Sequence, residues 1–363
     1  MHSSTFTKTI AVILCALVPC LVSYSSDFQV NGIHYNIKSI EKKTCVVTSP
    51  MLNTVGTVTA GANSNVIRRP NPDLYSGDLI IPQSPEFRGH QLTVVGIEDC
   101  AFYMCSGLIS ISIPVTVETI GELAFYGCKN LTTVSGSINA SIGIGAFAGC
   151  TSLREINLEK CTRISPQAFD SCKSLDSVII PASVKIIEEE AFANCGLLSK
   201  VEIKNGSTTL SIKKNIFKGS PIKDLYIGRN LKYWTNSAHD LPFDSIVNLT
   251  IGDNVTSICD DVRIEYSFGP VDNLKREALL NYKTVFDSES LKSVILGKAL
   301  TSVPTFEHAK LERIILHSAT PPEADGAFSF YSIMNSILIV PPGAIGTYKT
   351  KSPWKDFTIQ EQL

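Results

Sequence analysis

The side chains able to perform chemistry in this 363-residue chain include 11 cysteines, six histidines and 34 acidic residues. Enzymes and metal sites arrange such residues in short motifs, because the reacting groups must converge within hydrogen-bond reach. The chain has no H-E-x-x-H metal motif, no G-x-S-x-G nucleophile turn, no G-x-x-x-x-G-K-S/T phosphate loop and no Rossmann glycine pattern after a strand. The sequence therefore predicts a protein that is not an enzyme and that uses no cofactor or metal.

The remaining polar residues do not suggest a site either. Asp253 and the pair Asp260–Asp261 lack the spacing of a calcium-binding EF-hand loop, so a solvated acidic turn is expected. Basic residues are scattered without interleaved aromatic residues, and a net charge of −2 gives no reason to expect a nucleic-acid partner. Five isolated histidines are interpreted as surface or turn residues: His34, His90, His239, His308 and His317.

The spacing of the cysteines belongs to an internal repeat of the sequence. The dipeptide Ala-Phe occurs five times, from Ala101 to Ala191, at intervals of 23, 22, 22 and 23 residues. Four positions after each alanine stands a cysteine, and seven positions after it a leucine opens the pattern L-x-x-I/V-x-I/L. The cysteines of this column are Cys105, Cys128, Cys150, Cys172 and Cys195. Weaker copies continue to Ile339, and self-similarity at this period indicates a solenoid.

Twenty-two residues cannot enclose a core, but a stack of coils can. In the copy that begins at Leu153, the alternation of a strand sends Ile156 and Leu158 inward and Glu155 and Asn157 outward. The Ala-Phe-x-x-Cys segment is expected to close each coil as a short helical or 3-10 turn. The predicted fold is therefore a solenoid with parallel β-strands on one face, and short turns and short strands on the other.

In such a stack the five repeat cysteines form an inward column. Side chains that point in parallel fit the dihedral angle of a disulfide poorly, and a 22-residue interval does not match the close cysteine pairs of zinc sites. We therefore interpret them as small buried apolar residues. Cys100 and Cys105 could pair with each other, whereas Cys45, Cys161 and Cys259 have no assigned role.

Two segments fall outside the repeat. Ile10–Val22 is an apolar stretch preceded by Lys8, too short to span a bilayer but typical of a signal peptide. The interval between Ile246 and Leu291 is 45 residues, about two repeats. Residues 259–290 are therefore either a degraded coil or an insertion, in which 273–280 could form a short helix.

The repeat units resemble leucine-rich repeats, and more closely the bacterial surface-antigen subtype called BspA-like, found in Bacteroides-type bacteria. The resemblance rests on the Ala-Phe-x-x-Cys-x-x-Leu-x-x-Ile-x-Ile-Pro units from Cys100 to about Ile203. The flanking segments also match: a leader strand at 27–35, a hairpin formed by 75–82 and 94–97, and a C-terminal cap that includes 339–343 and 354–357. Together these features predict four segments. Residues 1–26 form a signal peptide, and residues 27–98 a leader strand and β-hairpin cap. Residues 99–340 form a leucine-rich-repeat solenoid of about 10–11 coils that is irregular at 228–290, and residues 341–363 form a C-terminal cap.

The outward positions of the repeat strands are the candidate binding face. They are varied and mostly polar, and form rows across the predicted concave sheet: Ser110, Ser112, Thr133, Ser135, Glu155, Asn157, Ser177, Lys200, Glu202, Asp224, Tyr226, Asn248 and Thr250. A rigid platform of this kind suits a large partner, although the same residues could simply keep an exposed face soluble. Tyr226, near Tyr233 and Trp234, is the candidate aromatic anchor.

The sequence thus predicts a secreted or cell-surface protein, monomeric and without a transmembrane span after export. Resemblance to the family implies adhesion to host or matrix proteins or to other cells, with a protein or glycan as ligand. Two alternatives stay open: a structural spacer of the cell envelope, and a carbohydrate-binding accessory protein.

Overall fold

The computed structural model describes residues 26–49, 74–136, 138, 141–235, 243, 245–258, 263–264, 286, 288–306 and 308–362. Residues 1–25 of the predicted signal peptide, the predicted helix at 273–280 and Cys259 lie outside these ranges. The chain divides into two compact units, residues 1–174 and 175–363. Both units consist of coils that contribute short parallel strands to a front and a back sheet, so the predicted parallel-strand solenoid is confirmed.

The strands of unit 1 are β1 (Phe28–Val30), β2 (Ile33–Ser39), β3 (Thr44–Thr48), β4 (Gly77–Ile80), β5 (Glu86–Phe87), β6 (His90–Gln91), β7 (Thr93–Ile97), β8 (Leu108–Ser112), β9 (Thr119–Ile120), β10 (Thr133–Ser135), β11 (Ser141–Ile142), β12 (Glu155–Ile156) and β13 (Arg163–Ile164). Its front sheet has the parallel order β4-β8-β10-β12. Its back sheet has the order β1-β2-β3-β7-β9-β11-β13, antiparallel through β3 and parallel from there on.

The stack of coils begins earlier than the repeat pattern predicts. The segments 75–82 and 94–97 are not partners in one hairpin, because β4 pairs with β8 in the front sheet whereas β7 pairs with β3 and β9 in the back sheet. The small hairpin β5–β6 lies between them in the chain. β4 and β7 therefore take the same places as β8 and β9 of the next coil, and form a coil of their own.

The Ala-Phe-x-x-Cys segment closes each coil with successive turns rather than a helical turn. In the six turns from Ala101 to Ile216, two residues have left-handed backbone conformation, the one before the first residue of the segment and the third after it, as at Cys100 (φ 56°) and Met104 (φ 60°). Their N–H groups donate to the next coil, at Glu122 O (2.9 Å) and Tyr126 O (2.7 Å). The left-handed residues thus direct hydrogen bonds between coils, which interrupts the helical pattern expected here.

The phenylalanine of each repeat fills the space between the sheets, as predicted. In unit 1 the rings of Phe102, Phe125, Phe147 and Phe169 stack with centroids 4.8, 4.9 and 5.3 Å apart. In unit 2 a second column has centroid spacings from 5.4 to 6.2 Å. Its members are Phe192, Phe217, Phe243, Phe286, Phe306 and Phe328. Because the rings are buried, each coil contributes one aromatic residue to the apolar core.

The strands of unit 2 are β14 (Ser177–Ile180), β15 (Ile186–Ile187), β16 (Lys200–Ile203), β17 (Leu210–Ile212), β18 (Asp224–Ile227), β19 (Leu231–Thr235), β20 (Asn248–Ile251), β21 (Arg263–Ile264), β22 (Ser293–Leu296), β23 (Arg313–Leu316), β24 (Ile337–Val340) and β25 (Thr358–Glu361). Its helices are α1 (Phe330–Asn335), α2 (Ile345–Tyr348) and a 3-10 turn at Trp354–Asp356. The front sheet has the parallel order β14-β16-β18-β20-β22-β23-β24-β25, and the back sheet of this unit the order β15-β17-β19-β21.

The long interval after Ile246 is an insertion. β20 pairs directly with β22, from Asn248 opposite Ser293 to Ile251 opposite Leu296. The rings of Phe243 and Phe286 also stack directly, with centroids 5.4 Å apart. No front strand separates these two rungs, so the alternative of a degraded coil is wrong on this face. On the back sheet, the described residues of this interval contribute the short strand β21, which pairs with β19.

Aromatic residues end the phenylalanine column of unit 2. Trp354 is fully buried, its ring lies edge-on 5.4 Å from Phe328, and its Nε1 donates to Pro322 O at 2.9 Å. Phe357 also contacts Phe328 edge-on, at 5.4 Å. A perpendicular ring cannot extend a parallel stack, so these contacts close the column at its last phenylalanine.

Candidate functional site

The front sheet of unit 2 carries two parallel rows of outward side chains. One row runs through Ser177, Lys200, Asp224 and Asn248, and the other through Ile179, Glu202, Tyr226 and Thr250. The residues between the rows, such as Val201 and Leu225, are buried. The structure therefore brings all predicted face residues of this unit into two straight lines at fixed register.

The rows extend further than the predicted face. Ser293, Arg313 and Ile337 continue the first row, and the second row continues through three isoleucines: Ile295, Ile315 and Ile339. The copies of the repeat at Leu291 and Leu311 contained the signal for these positions. The second row thus changes from polar to apolar after Thr250.

The front sheet of unit 1 holds the other predicted residues. Strand pairing aligns these residues in two outward rows. The first row consists of Asp78, Ser110, Thr133 and Glu155, and the second of Ile80, Ser112 and Ser135. The hydroxyl of Ser110 donates to Asp78 Oδ1 at 2.6 Å. Most side chains of this face are short serine and threonine hydroxyls, so the surface of this sheet has little relief.

Asn157 does not lie in a strand, contrary to the prediction. β12 ends at Ile156, and the Asn157 side-chain oxygen accepts a hydrogen bond from the Glu159 N–H at 3.0 Å. This local turn competes with strand pairing, because short amide side chains readily bond to the backbone two residues on. Asn157 is exposed, at the end of the row rather than within it.

A depression of about 520 Å³ lies on the front sheet of unit 2, over β16, β18 and β20. Its polar lining comes from Lys200, Glu202, Asn205, Asp224, Tyr226 and Asn248, with Lys204 and Thr250 at its side. Six of these eight are residues of the predicted face. Lys204 and Asn205 were missed, because they follow β16 and lie outside the repeated strand pattern.

Hydrogen bonds fix the polar groups of this depression. Asn248 Nδ2 donates to Asp224 Oδ1 at 2.7 Å, across neighbouring strands of the same row. The Tyr226 hydroxyl donates to Asn205 Oδ1 at 2.8 Å. Lys204 Nζ lies 2.7 Å from Glu202 Oε1. The side chains are therefore held in place by their neighbours before any ligand arrives.

The ring of Tyr226 lies along the sheet rather than standing out from it. A Cβ atom added to Gly252 would meet the Tyr226 hydroxyl at 2.7 Å and Cζ at 3.3 Å, so the ring passes over the glycine backbone. With the hydroxyl bonded to Asn205 on the other side, the ring spans from one coil to the next. A side chain at position 252 would displace it.

A fully buried arginine supports the loops beside the depression. Arg229 donates through Nη1 to Ala182 O at 2.8 Å and through Nη2 to Pro181 O at 2.9 Å, two coils away. Its Cδ lies 3.2 Å from the position of a Cβ on Gly206, the neighbour of Asn205. Its Nε has no partner, and burial lowers the pKa of the guanidinium. Arg229 thereby ties together three successive loops that follow front strands.

The proposed aromatic group around Tyr226 does not form. Tyr233 is buried in β19 of the back sheet, where it pairs with Ile212, so it cannot share the front face with Tyr226. Trp234 follows it in the same back strand. Among the described residues that line the depression, Tyr226 is therefore the one aromatic side chain.

The repeat cysteines are buried, as predicted, and form no disulfide: Cys105, Cys128, Cys150, Cys172 and Cys195. Because Cys105 is not in a disulfide, a Cys100–Cys105 disulfide does not form. Cys45 and Cys161 are also buried free thiols, and burial raises the pKa of Cys45 to about 12 and of Cys161 to about 11. Thiols with such pKa values are protonated near neutral pH and are poor nucleophiles and metal ligands.

The described histidines and acids form no metal cluster of three or more ligands. One pair does meet: His317 Nδ1 lies 2.8 Å from Asp253 Oδ1, and this contact lowers the pKa of the exposed Asp253 carboxyl. Asp260 and Asp261, the partners considered for Asp253, lie outside the described residues. This contact could not be predicted from the sequence, because the two residues are 64 positions apart.

Among the described residues, no helix has the length and apolar character needed to cross a bilayer.

Comparison with known proteins places the repeats in a family. The family model for the BspA type leucine rich repeat region matches in six copies, over residues 90–162 and 140–266. No curated protein matches the chain in sequence. The family assignment therefore rests on the repeats themselves.

Solved structures with the same kind of repeat are distant in sequence. A leucine-rich cell surface protein from Faecalibacterium prausnitzii is 19% identical over 90% of this chain and 98% of its own, with a TM-score of 0.44. A leucine-rich repeat protein from Bacteroides ovatus is 18% identical, with 93% and 99% covered and a TM-score of 0.29. A leucine-rich repeat protein from T. pallidum is 19% identical, with 73% and 99% covered and a TM-score of 0.38.

Proposed function

Because the chain is a leucine-rich repeat protein of the BspA type, we propose that it binds a macromolecule outside the cell through the outward rows of its front sheets, without catalysis. The observation that carries this proposal is the front sheet of unit 2, in which parallel pairing holds the outward residues in register. Neighbouring strands lie about 4.8 Å apart, so the side chains form a regular and rigid array. Such an array can make many simultaneous contacts with a large partner.

The composition of the rows supports a macromolecular ligand rather than a small molecule. Charged and amide side chains occupy the coils from Lys200 to Asn248, whereas Ile295, Ile315 and the exposed Ile337 follow in later coils. Protein interfaces likewise combine polar and apolar residues over one continuous surface. The proposed role is adhesion to a host or matrix protein or to another cell.

Export supports the same role. The apolar stretch Ile10–Val22 after Lys8 has the length and flank of a signal peptide, and a binding protein of this kind meets its partner only outside the cell. We propose that the exported protein is monomeric and that it stays at the cell surface or is released.

A pull-down with alanine variants of the front face tests the proposal. The chain without residues 1–26 is offered to immobilised matrix proteins and to intact partner cells. Glu155→Ala in unit 1, and Lys200→Ala with Tyr226→Ala in unit 2, are expected to reduce binding at least tenfold. Lys185→Ala, an exposed change before back strand β15, serves as the control.

The alternative of a structural spacer in the envelope gives a different result. A spacer would bind nothing above background, and its front-face variants would behave like the control in every assay. That outcome would overturn the adhesion proposal. The carbohydrate-binding alternative is favoured by the depression around Tyr226.

A further inference from the structure

The depression on the front sheet of unit 2 is electrically balanced. Lys200 and Lys204 contribute two positive charges, and Glu202 and Asp224 two negative ones. Glu202 is paired with Lys204 at 2.7 Å, and Asp224 accepts from the Asn248 amide at 2.7 Å. Lys200 stands opposite Asp224 on the neighbouring strand, so the positive charges lie beside negative ones and neither an anion nor a cation is strongly favoured. The charge pattern therefore favours a neutral ligand.

The polar groups of the depression retain unused donors and acceptors. Asp224 uses Oδ1 toward Asn248, which leaves Oδ2 as an acceptor. Asn248 keeps its carbonyl oxygen, and Asn205, whose Oδ1 is occupied by the Tyr226 hydroxyl, keeps its amide hydrogens. These carboxylate and amide groups present acceptors and donors next to each other. Such a set can bind several hydroxyl groups, because each hydroxyl can both donate and accept a hydrogen bond. A polyol satisfies this set without introducing charge.

Tyr226 adds an apolar surface beside those groups. Its ring lies across Gly252 and is anchored at Asn205, so its position is fixed along the sheet while the residue stays partly exposed. A fixed aromatic face next to hydrogen-bonding amides is complementary to a sugar ring, which has C–H groups on its face and hydroxyls on its rim. Because the groups are already oriented, little conformational freedom is lost on binding.

We propose that this depression is a subsite for a neutral saccharide unit of a larger glycan, with Tyr226 as the platform and Asp224, Asn248 and Asn205 as the hydroxyl-binding groups. The inference rests on the proposed binding role of the front face, and deepens it by naming the chemical class of the ligand. A depression of about 520 Å³ has room for a single sugar unit, and a polymer offers many such units along one chain.

Immobilised polysaccharides test the proposal. The exported chain is offered neutral polymers (β-glucan, galactomannan and xylan) and charged ones (polygalacturonate and heparin), and the binding polymer is then titrated by calorimetry. Binding of a neutral polymer is expected to be insensitive to sodium chloride between about 50 and 500 mM, because no phosphate-like or carboxylate charge is neutralised. Tyr226→Ala and Asn248→Ala should each weaken it at least tenfold.

Two matched variants separate the roles. Tyr226→Phe keeps the ring and removes the bond to Asn205, so it should weaken binding less than Tyr226→Ala. Lys185→Ala changes an exposed residue before back strand β15, away from the front sheet, and should leave binding unchanged. Circular dichroism and melting temperature verify that each variant folds.

Two results would overturn the inference: no neutral polymer binds, or binding is indifferent to Tyr226→Ala and Asn248→Ala in folded protein. If matrix proteins or cells still bind in a front-face-dependent way, the saccharide subsite alone is wrong and the adhesive role stands. If nothing binds the front face, both proposals fail.

Discussion

In four of the closing turns, one buried side chain links its coil to the coil before it. The thiols of Cys128, Cys150 and Cys172 donate to the carbonyl oxygens of Phe102, Phe125 and Phe147, at 3.0, 3.1 and 3.3 Å. In the sixth coil the same column position is Ser220, whose hydroxyl donates to Phe192 O at 2.7 Å. The residue can thus change from cysteine to serine because the donor, not the sulfur, is what the position requires.

Replacement of Ser220 tests this reading. Its oxygen also accepts from the Cys195 N–H at 2.9 Å, so Ser220→Ala leaves a buried N–H and a buried carbonyl without their partner. We expect Ser220→Ala to cost about 1–3 kcal/mol of unfolding free energy. Ser220→Cys, which restores the residue of the other coils, should cost less. Equilibrium denaturation of both variants measures the difference, and equal losses would contradict the donor argument.

Gly136 shows why one copy of the repeat departs from the pattern. It takes the place of the final Ile or Leu of the strand, has φ 95°, and a Cβ there would overlap the carbonyl oxygen of Ile113. We expect Gly136→Ala to destabilise the protein by more than about 2 kcal/mol, since backbone strain and overlap add. Gly32→Ala is the control, because Gly32 has a similar φ of 79° with open space around it. Its loss should be about 1 kcal/mol, from strain alone. If the melting temperature falls by the same amount in both variants, the overlap with the Ile113 carbonyl oxygen adds nothing to the backbone strain.

At the scale of single residues, the sequence predicted which side chains are buried better than it predicted which hydrogen bonds they form. Column spacing was sufficient to identify the buried phenylalanines and cysteines, because a repeat imposes the same burial on every copy. It could not identify the thiol as a donor, since a buried cysteine is ordinarily interpreted by its size. Nor could it find Asn205, whose contact with Tyr226 depends on how the loop after β16 turns.

Among the structural elements, the loops after the front strands determine the shape of the candidate site. Arg229, in the loop after β18, reaches the loop after β14 and passes the loop after β16. Its two Nη groups diverge to two adjacent carbonyls, a geometry that a planar guanidinium provides and an ammonium does not. These loops are therefore coupled through one side chain.

We expect Arg229→Lys to lower the unfolding free energy by about 1–3 kcal/mol, because one of the two buried carbonyls loses its donor. Arg313→Lys, an exposed change on the front sheet, is the matched control and should have no measurable effect. Guanidinium denaturation monitored by circular dichroism compares them. If Arg229→Lys unfolds with the same midpoint as the control, the coupling of the three loops through Arg229 is refuted.

For the whole molecule, coils can be counted from the sequence only where the repeat is regular. The interval around the insertion was ambiguous, because 45 residues fit either two repeats or one repeat with an addition. Strand pairing decided the question, and pairing depends on contacts between residues far apart in the chain. The coil formed by β4 and β7 resembles a hairpin in the sequence because no Ala-Phe-x-x-Cys segment precedes β4 to mark the start of a repeat; the segment at Ala101 follows β7.

Removal of part of the insertion should leave the stack intact. Deletion of residues 266–280 leaves six residues between Ile264 and Phe286, compared with nine between Tyr233 and Phe243 in the preceding coil. Since β20 and β22 already pair, we expect the melting temperature to change by no more than about 2 °C, as loop length has only a weak influence on stability. A fall above about 5 °C, or loss of a cooperative transition, would show that the inserted residues support the stack.

The hydrogen bonds that leave the left-handed turn residues for the next coil have a mechanical consequence. Within each unit the strands of both sheets and these turns all bond in the same direction, from coil to coil. A force along a unit therefore acts on all interfaces between its coils, and the weakest interface opens first, because each coil contacts only its neighbours. Such a unit lengthens in a series of small steps, and coils that have not yet opened keep their outward side chains in register. A surface protein built this way can yield to shear in part of its length while the remainder holds its ligand.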